Sequence, residues 1–142
     1  MTGLDSNILV QLAVAEHPRN GDTTALFQAE IERGETFALP SLVATEFLHV
    51  VTDGRRFNPP MTQTVALDWI EGFLTLSEVK TVESNDASLQ LTLQWMRQFQ
   101  LGRKRILDAH LAAILHTHGV RRLLTSNPGD FEVFGVLETV TP

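Results

Sequence analysis

The chain has 142 residues, 43% hydrophobic and 20% charged, with a formal net charge of −6 and no cysteine. That length predicts one domain, 1–142, with a core that needs no staples; the missing cysteine excludes disulfides, thiolate zinc sites and a cysteine nucleophile. The acidic balance excludes non-specific adhesion to a phosphate backbone as the main activity, and no run approaches the roughly 20 apolar residues of a membrane span.

In chain order, "MTGLD" reads as a short first strand and "SNILVQLAVAEH" as a helix broken by "PRNG". Asp22 is placed to cap the next helix, "TTALFQAEIERG", with Gly34 in the position after its end. "ETFALP" is a second strand, followed by the apolar helix "SLVATEFLHVVTDG" with Ser41 as the expected N-cap. Asn58, Pro59 and Pro60 make "RRFNPP" a loop. "TQTVALDWIEGFLTL" is helical, "EVKTVE" alternates as a strand, and "SND" caps the helix "ASLQLTLQWMRQFQLG". "RKR" then leads into "ILDAHLAAILHTHG", "VRRLLTS" is a fourth strand, "NPGDF" a turn, and "VLETV" a last strand. Strands alternating with such helices predict an α/β fold with a largely parallel sheet covered on both faces. Ligands collect beyond the carboxyl ends of strands in these sheets, where Asp5 and the turn holding Asp130 both belong.

Four acids stand out, each with a plain structural explanation beside the functional one. Asp5 can be a helix cap, although Ser6 and Asn7 could each do that job. Glu46 shares a helix face with Leu42, Val43 and Val50, where a carboxylate is costly unless paired or bound to metal. Asp108 sits early in a helix that is apolar nearly all round, where the helix dipole favours an acid. Asp130 fits a polar turn on composition alone. Placed together at one rim, these carboxylates would repel unless a cation joined them. All-oxygen ligation suits Mg²⁺ or Mn²⁺, the chemistry of water activation at a phosphodiester.

The segments "LDSNILV", "SLVATEFLHVV", "RILDAHLAAILHTHGVRRLLTSNPGDF" and "FGVLETVTP" resemble the PIN-domain ribonucleases, most closely the VapC-type toxins of bacterial toxin–antitoxin pairs. The resemblance runs from Asp5 to the C-terminus and is most specific in the block holding Asp108 and Asp130. It implies a three-layer α/β/α sandwich and an acidic cluster that binds Mg²⁺ or Mn²⁺ and cleaves RNA, leaving 5′-phosphate and 3′-hydroxyl ends. Position by position, Asp5, Glu46, Asp108 and Asp130 are the implied catalytic and metal-binding acids, with Asn7 and Thr125 as supporting polar residues. Asn127 stands where many members carry aspartate, so one ion is expected rather than two. The resemblance further implies a homodimer and silencing by a small antitoxin protein. A cytoplasmic enzyme is the expectation, given an N-terminus without the marks of a signal peptide.

Arg103, Lys104 and Arg105, next to Asp108, are candidate RNA contacts, with Arg55 and Arg56 as weaker ones. Among the histidines, His49 lies one turn from Glu46, and His110, His116 and His118 are read onto one helix in structural roles. Trp69 and Trp95 fit apolar helical patterns as core or interface. "NILVQLAVA" and "ALDWIEGFLTL" are expected to leave apolar surface uncovered. The alternative of another class is a catalytically silent PIN-like domain that binds RNA or protein. A histidine ribonuclease would ignore chelators, and a haloacid-dehalogenase phosphatase is excluded because Asn7 replaces the second Asp of its D-x-D signature.

Overall fold

The computed structural model describes residues 1–142. Five parallel strands form one sheet: β1 (Thr2–Leu4), β2 (Phe37–Pro40), β3 (Val79–Val82), β4 (Arg122–Leu124) and β5 (Glu138–Val140), in the order β3-β2-β1-β4-β5. The helices are α1 (Ser6–Ala13), α2 (Asn20–Glu32), α3 (Ser41–Val51), α4 (Gln63–Leu74), α5 (Asp86–Gln98) and α6 (Ile106–Thr117). From β1 to β3 the chain steps one way across the sheet, and from β3 to β4 it steps back. Right-handed crossovers therefore put α1–α4 on one face and α5–α6 on the other, giving the expected three layers. The reversal leaves β1 and β4 as neighbours whose chains depart in opposite directions, the switch point where open α/β sheets bind ligands.

Burial follows the pattern of a covered parallel sheet. Phe37, Ala38 and Leu39 on β2, and Leu123 and Leu124 on β4, are fully buried, as expected for strands packed on both faces. Helix α6 carries six buried residues, including Leu111, Ile114 and Leu115. Leu115 presses on β1 so closely that a Cβ on Gly3 would meet its Cδ1 at 2.5 Å. Gly3→Ala is therefore expected to destabilise the fold by about 1–3 kcal/mol through overpacking, measured as a lower urea midpoint with an unchanged slope. Trp95 packs on Phe134 at 5.0 Å between ring centroids and Trp69 on Phe47 at 4.9 Å, so both tryptophans serve the core.

Several local expectations need correction. Helix α1 stops at Ala13 rather than running on to His17, because the Asn20 side chain donates to the Gln11 carbonyl at 2.7 Å and the Leu12 carbonyl at 3.3 Å. Those contacts satisfy carbonyls that a further turn would have used. Asp22 lies in the first turn of α2, which starts at Asn20 without a side-chain cap; its contribution there is to the helix dipole. Ser41 is the first helical residue of α3, not its cap. Pro40 carries the strand straight into the helix, and the Ser41 hydroxyl donates to Glu83 at 2.6 Å instead. His118 caps the end of α6 rather than lying within it. Apolar surface is left on α4, where Val65 and Leu67 are exposed, but not on α1, whose Ile8, Leu9 and Val10 are buried.

Candidate active site

Asp5 ends β1 and caps α1, so its two readings coexist. Its Oδ1 accepts from the Ser6 N–H at 2.7 Å, while Oδ2 accepts from Thr125 Oγ1 at 2.6 Å and Asn7 Nδ2 at 2.7 Å. Thr125 is fully buried just beyond β4, and its Oγ1 also accepts the Asn127 N–H at 3.0 Å. Asn7 Oδ1 accepts the Ser126 N–H at 3.1 Å. These bonds tie the segment after β4 to the acid after β1, across the switch point. Burial pushes the Asp5 carboxyl above its ordinary value, and the hydrogen bonds from Thr125, Ser6 and Asn7 pull it partly back.

Glu46 enters from α3 and Asp108 from the first turn of α6; both carboxyls are pushed up by burial first and by neighbouring charge second. For Glu46 the charge is Asp5; for Asp108 it is Asp130 and Asp5, and its pKa rises to about 6. Helix α6 starts with no side-chain cap, as its sequence suggested. In place of a cap, Arg105 Nε donates to Asp108 Oδ2 at 3.3 Å and its guanidinium also donates to the Asp130 carbonyl oxygen. Arg105 thus joins the two acids that follow β3 and β4, and its charge is spent inside the site. Arg103 and Lys104 remain exposed beside it.

Asp5, Glu46, Asp108 and Asp130 line one cleft of about 650 Å³, together with Asn7 and Asn127. The cleft also takes in Gln11, His17, Arg56 and Phe57. Of these, only Arg56 had a signal in the sequence, as one of two arginines beside the proline loop. Gln11 is 4% exposed; its Nε2 donates to Ser126 Oγ at 2.7 Å and its Oε1 accepts from Thr23 Oγ1 at 2.6 Å. His49 lines a separate hollow with Leu48, Thr52, Gln63 and Leu67.

As the side chains stand, no three acids converge on a common point at metal-bonding distance. The donor set is nonetheless that of a hard divalent ion: carboxylate oxygens, flanked by amide and hydroxyl groups and free of sulfur. The raised carboxyls of Asp5, Glu46 and Asp108 mark a site that a cation would relieve.

A five-stranded parallel α/β/α sandwich with acids gathered at the β1–β4 switch point defines a small class of proteins. The model of the PIN domain matches residues 4–136, and the chain belongs to that family. It is similar to Ribonuclease VapC31 of Mycobacterium tuberculosis, 24% identical over 139 residues, spanning 98% of this chain and 96% of that protein. Among solved structures it resembles VapBC2 from Rickettsia felis bound to a promoter DNA fragment, with TM-score 0.71, 17% identity, and 99% and 97% of the two chains covered. It also resembles the sarcin-ricin-loop-cleaving toxin VapC20 of Mycobacterium tuberculosis, with TM-score 0.67, 17% identity, and 97% and 98% covered.

Proposed function

We propose that the chain is a VapC-type toxin, a Mg²⁺- or Mn²⁺-dependent endoribonuclease. The observation that carries this reading is the joining of Asp5, Glu46, Asp108 and Asp130, from four separate parts of the chain, in one cleft of a PIN fold. Asp5, Glu46 and Asp108 would hold the ion, with Asp130 completing the wall beside Asp108. A divalent ion held there would supply water activation and charge neutralisation at the scissile phosphate. Asn7 and Thr125 orient Asp5 by donating to its Oδ2. Arg105 holds Asp108 by Oδ2. Asp108 or Asp130, the acids of that wall, would accept the water's proton. Asn127 carries no charge, which supports one well-held ion.

The relatives that include VapBC complexes support an antitoxin partner for this chain. Exposed Val65 and Leu67 on α4, and Leu89 and Leu93 on α5, supply apolar faces for an antitoxin and for a second copy. No helix is long and apolar enough to cross a membrane. The test is RNA cleavage by the purified chain. Mn²⁺ or Mg²⁺ is expected to switch cleavage on, EDTA to stop it, and the fragments to carry 5′-phosphates. Cleavage that persists in EDTA and leaves 2′,3′-cyclic phosphates would overturn the reading, and RNA binding without turnover would make the chain a silent module.

A further inference from the structure

The cleft is not purely acidic. Arg56 and Phe57, from the loop after α3, line it together with the acids, and the Arg56 charge acts on Glu46. This loop is well anchored. The Arg56 and Phe57 N–H groups donate to the Asp53 carbonyl at 3.0 and 3.1 Å, and the Met61 N–H donates to the Val51 carbonyl at 2.9 Å. Its two arginines are not equivalent. Arg55 is spent on Asp53, through Nε to Oδ1 at 3.1 Å and its guanidinium NH₂ to Oδ2 at 3.3 Å. Arg56 makes only a 3.9 Å approach to Asp53, with its side chain 63% exposed. It keeps its donors free while lining the cleft that holds Glu46.

Phe57 is shared between two hollows: it lines the acidic cleft and also a separate hollow of about 300 Å³ formed with Val14, Val51, Pro60 and Met61. That volume is at the lower end of small-ligand sites, about 300–1,000 Å³. An aromatic side chain beside an apolar hollow, with a free guanidinium one residue away, matches the two halves of a nucleotide: a planar base and a phosphate. Stacking on an aromatic ring is sequence-tolerant binding that any base can use.

We propose that Arg56 and Phe57 form a nucleotide subsite next to the acidic centre, in which Phe57 and the hollow behind it take the base of a single-stranded RNA residue and Arg56 takes its phosphate. The proposal rests on the nuclease reading for the identity of the strand but not for the existence of the subsite. It makes the α1–α3 side of the cleft the path by which single-stranded RNA leaves the scissile bond. The net charge of −6 makes such a local cation necessary, since the molecule as a whole repels the strand.

The test uses fluorescein-labelled single-stranded RNA hexamers, one fully based and one series with a single abasic position, bound to the full chain in Ca²⁺ and read by anisotropy. The wild type is expected to bind the based strand about tenfold more tightly than the abasic strand that empties the subsite. Phe57→Leu, which keeps apolar bulk, is expected to erase that difference while melting like the wild type. Arg56→Ala is expected to weaken every strand and to reduce the slope of log affinity against log salt by about 0.7. Cleavage in Mn²⁺ is measured alongside. Binding by both variants indistinguishable from wild type, or no binding by the wild type, overturns the subsite; if Mn²⁺-dependent cleavage persists, the nuclease reading survives. Variants that lose affinity in a chain that never cuts would do the reverse. Unchanged RNA binding with loss of a partner protein would assign the hollow to that protein and end the proposal.

Discussion

Asp5→Asn and Asp108→Asn are each expected to lower Mn²⁺-dependent RNA cleavage by about 10²–10³-fold, because each removes a charge from the cation site and several kcal/mol of metal catalysis with it. The effect on stability should run the other way for Asp108. Its carboxylate is held beside Asp130 and Asp5 in a partly buried position, so the neutral amide removes repulsion as well as desolvation. Loss of the 3.3 Å contact to Arg105 opposes this gain. The residual stabilisation of the metal-free chain is about 1 kcal/mol after allowance for solvent screening, read as a rise in melting temperature of roughly 4 °C. Asp5→Asn should do less, since its new NH₂ would face the Asn7 amide that now donates to Oδ2. A variant that is dead yet more stable is the signature of a site whose charge serves function at the expense of the fold. Full cleavage by both variants would remove the acids from the mechanism.

The second large effect is on pH. The Asp108 carboxyl has a pKa of about 6 in the folded chain against 3.8 ordinarily. A raised carboxyl means the folded state holds a proton that the unfolded state has released. Stability of the metal-free chain should therefore fall as pH rises from about 4 to about 6 and level off above. Metal binding runs in the opposite direction, because the ion must displace that proton. Below about pH 6 the affinity for Mn²⁺ should drop by about tenfold per pH unit, as one proton competes with one ion. Thermal melts with and without Mn²⁺ check both signs at once. The Mn²⁺-induced rise should be large near neutral pH and small at about pH 5, and the metal-free melting point should move the other way. A Mn²⁺-induced rise that does not change with pH would show that Asp108 is not displaced of its proton by the ion.

The elements of this fold were readable because their signals are local. Short apolar strands, Asn85 before α5 and the Asn58-Pro59-Pro60 break act within a few residues of where they stand. Helix α5 begins where "SND" placed it, with Asn85 Oδ1 accepting the Ser88 N–H at 2.9 Å. The misplacements arose where a distant group intervened. Asn20 reaches back to shorten α1, and Glu83 draws the Ser41 hydroxyl away from capping. Ser41 and Glu83 lie 42 residues apart, and Asn20 and Gln11 nine, beyond the helical spacings of three and four that a periodic pattern reads.

The site divides in the same way. The acids were visible because a carboxylate in an apolar helix, such as Glu46 or Asp108, has an energetic cost that demands an explanation. Arg105 read as one of three basic residues open to RNA; only the fold shows it turned inward onto Asp108 and Asp130. Gln11 carried no such signal, because a neutral amide in an apolar helix costs less to bury than a carboxylate. Its partners, Thr23 and Ser126, lie 12 and 115 residues away. Phe57 carried none, since an aromatic residue in a loop is ordinary until the loop is seen to close over a cleft.

The most direct test of the shared cation site is a crystal soaked in MnCl₂ and measured for anomalous scattering from manganese. One peak is expected in the cleft, with oxygens of Asp5 and Asp108 at roughly 2 Å, the distance of inner-sphere carboxylate ligands, and it should vanish in Asp108→Asn. A saturating soak that places manganese elsewhere on the molecule, or nowhere, with Asp5 and Asp108 still apart, would contradict the account.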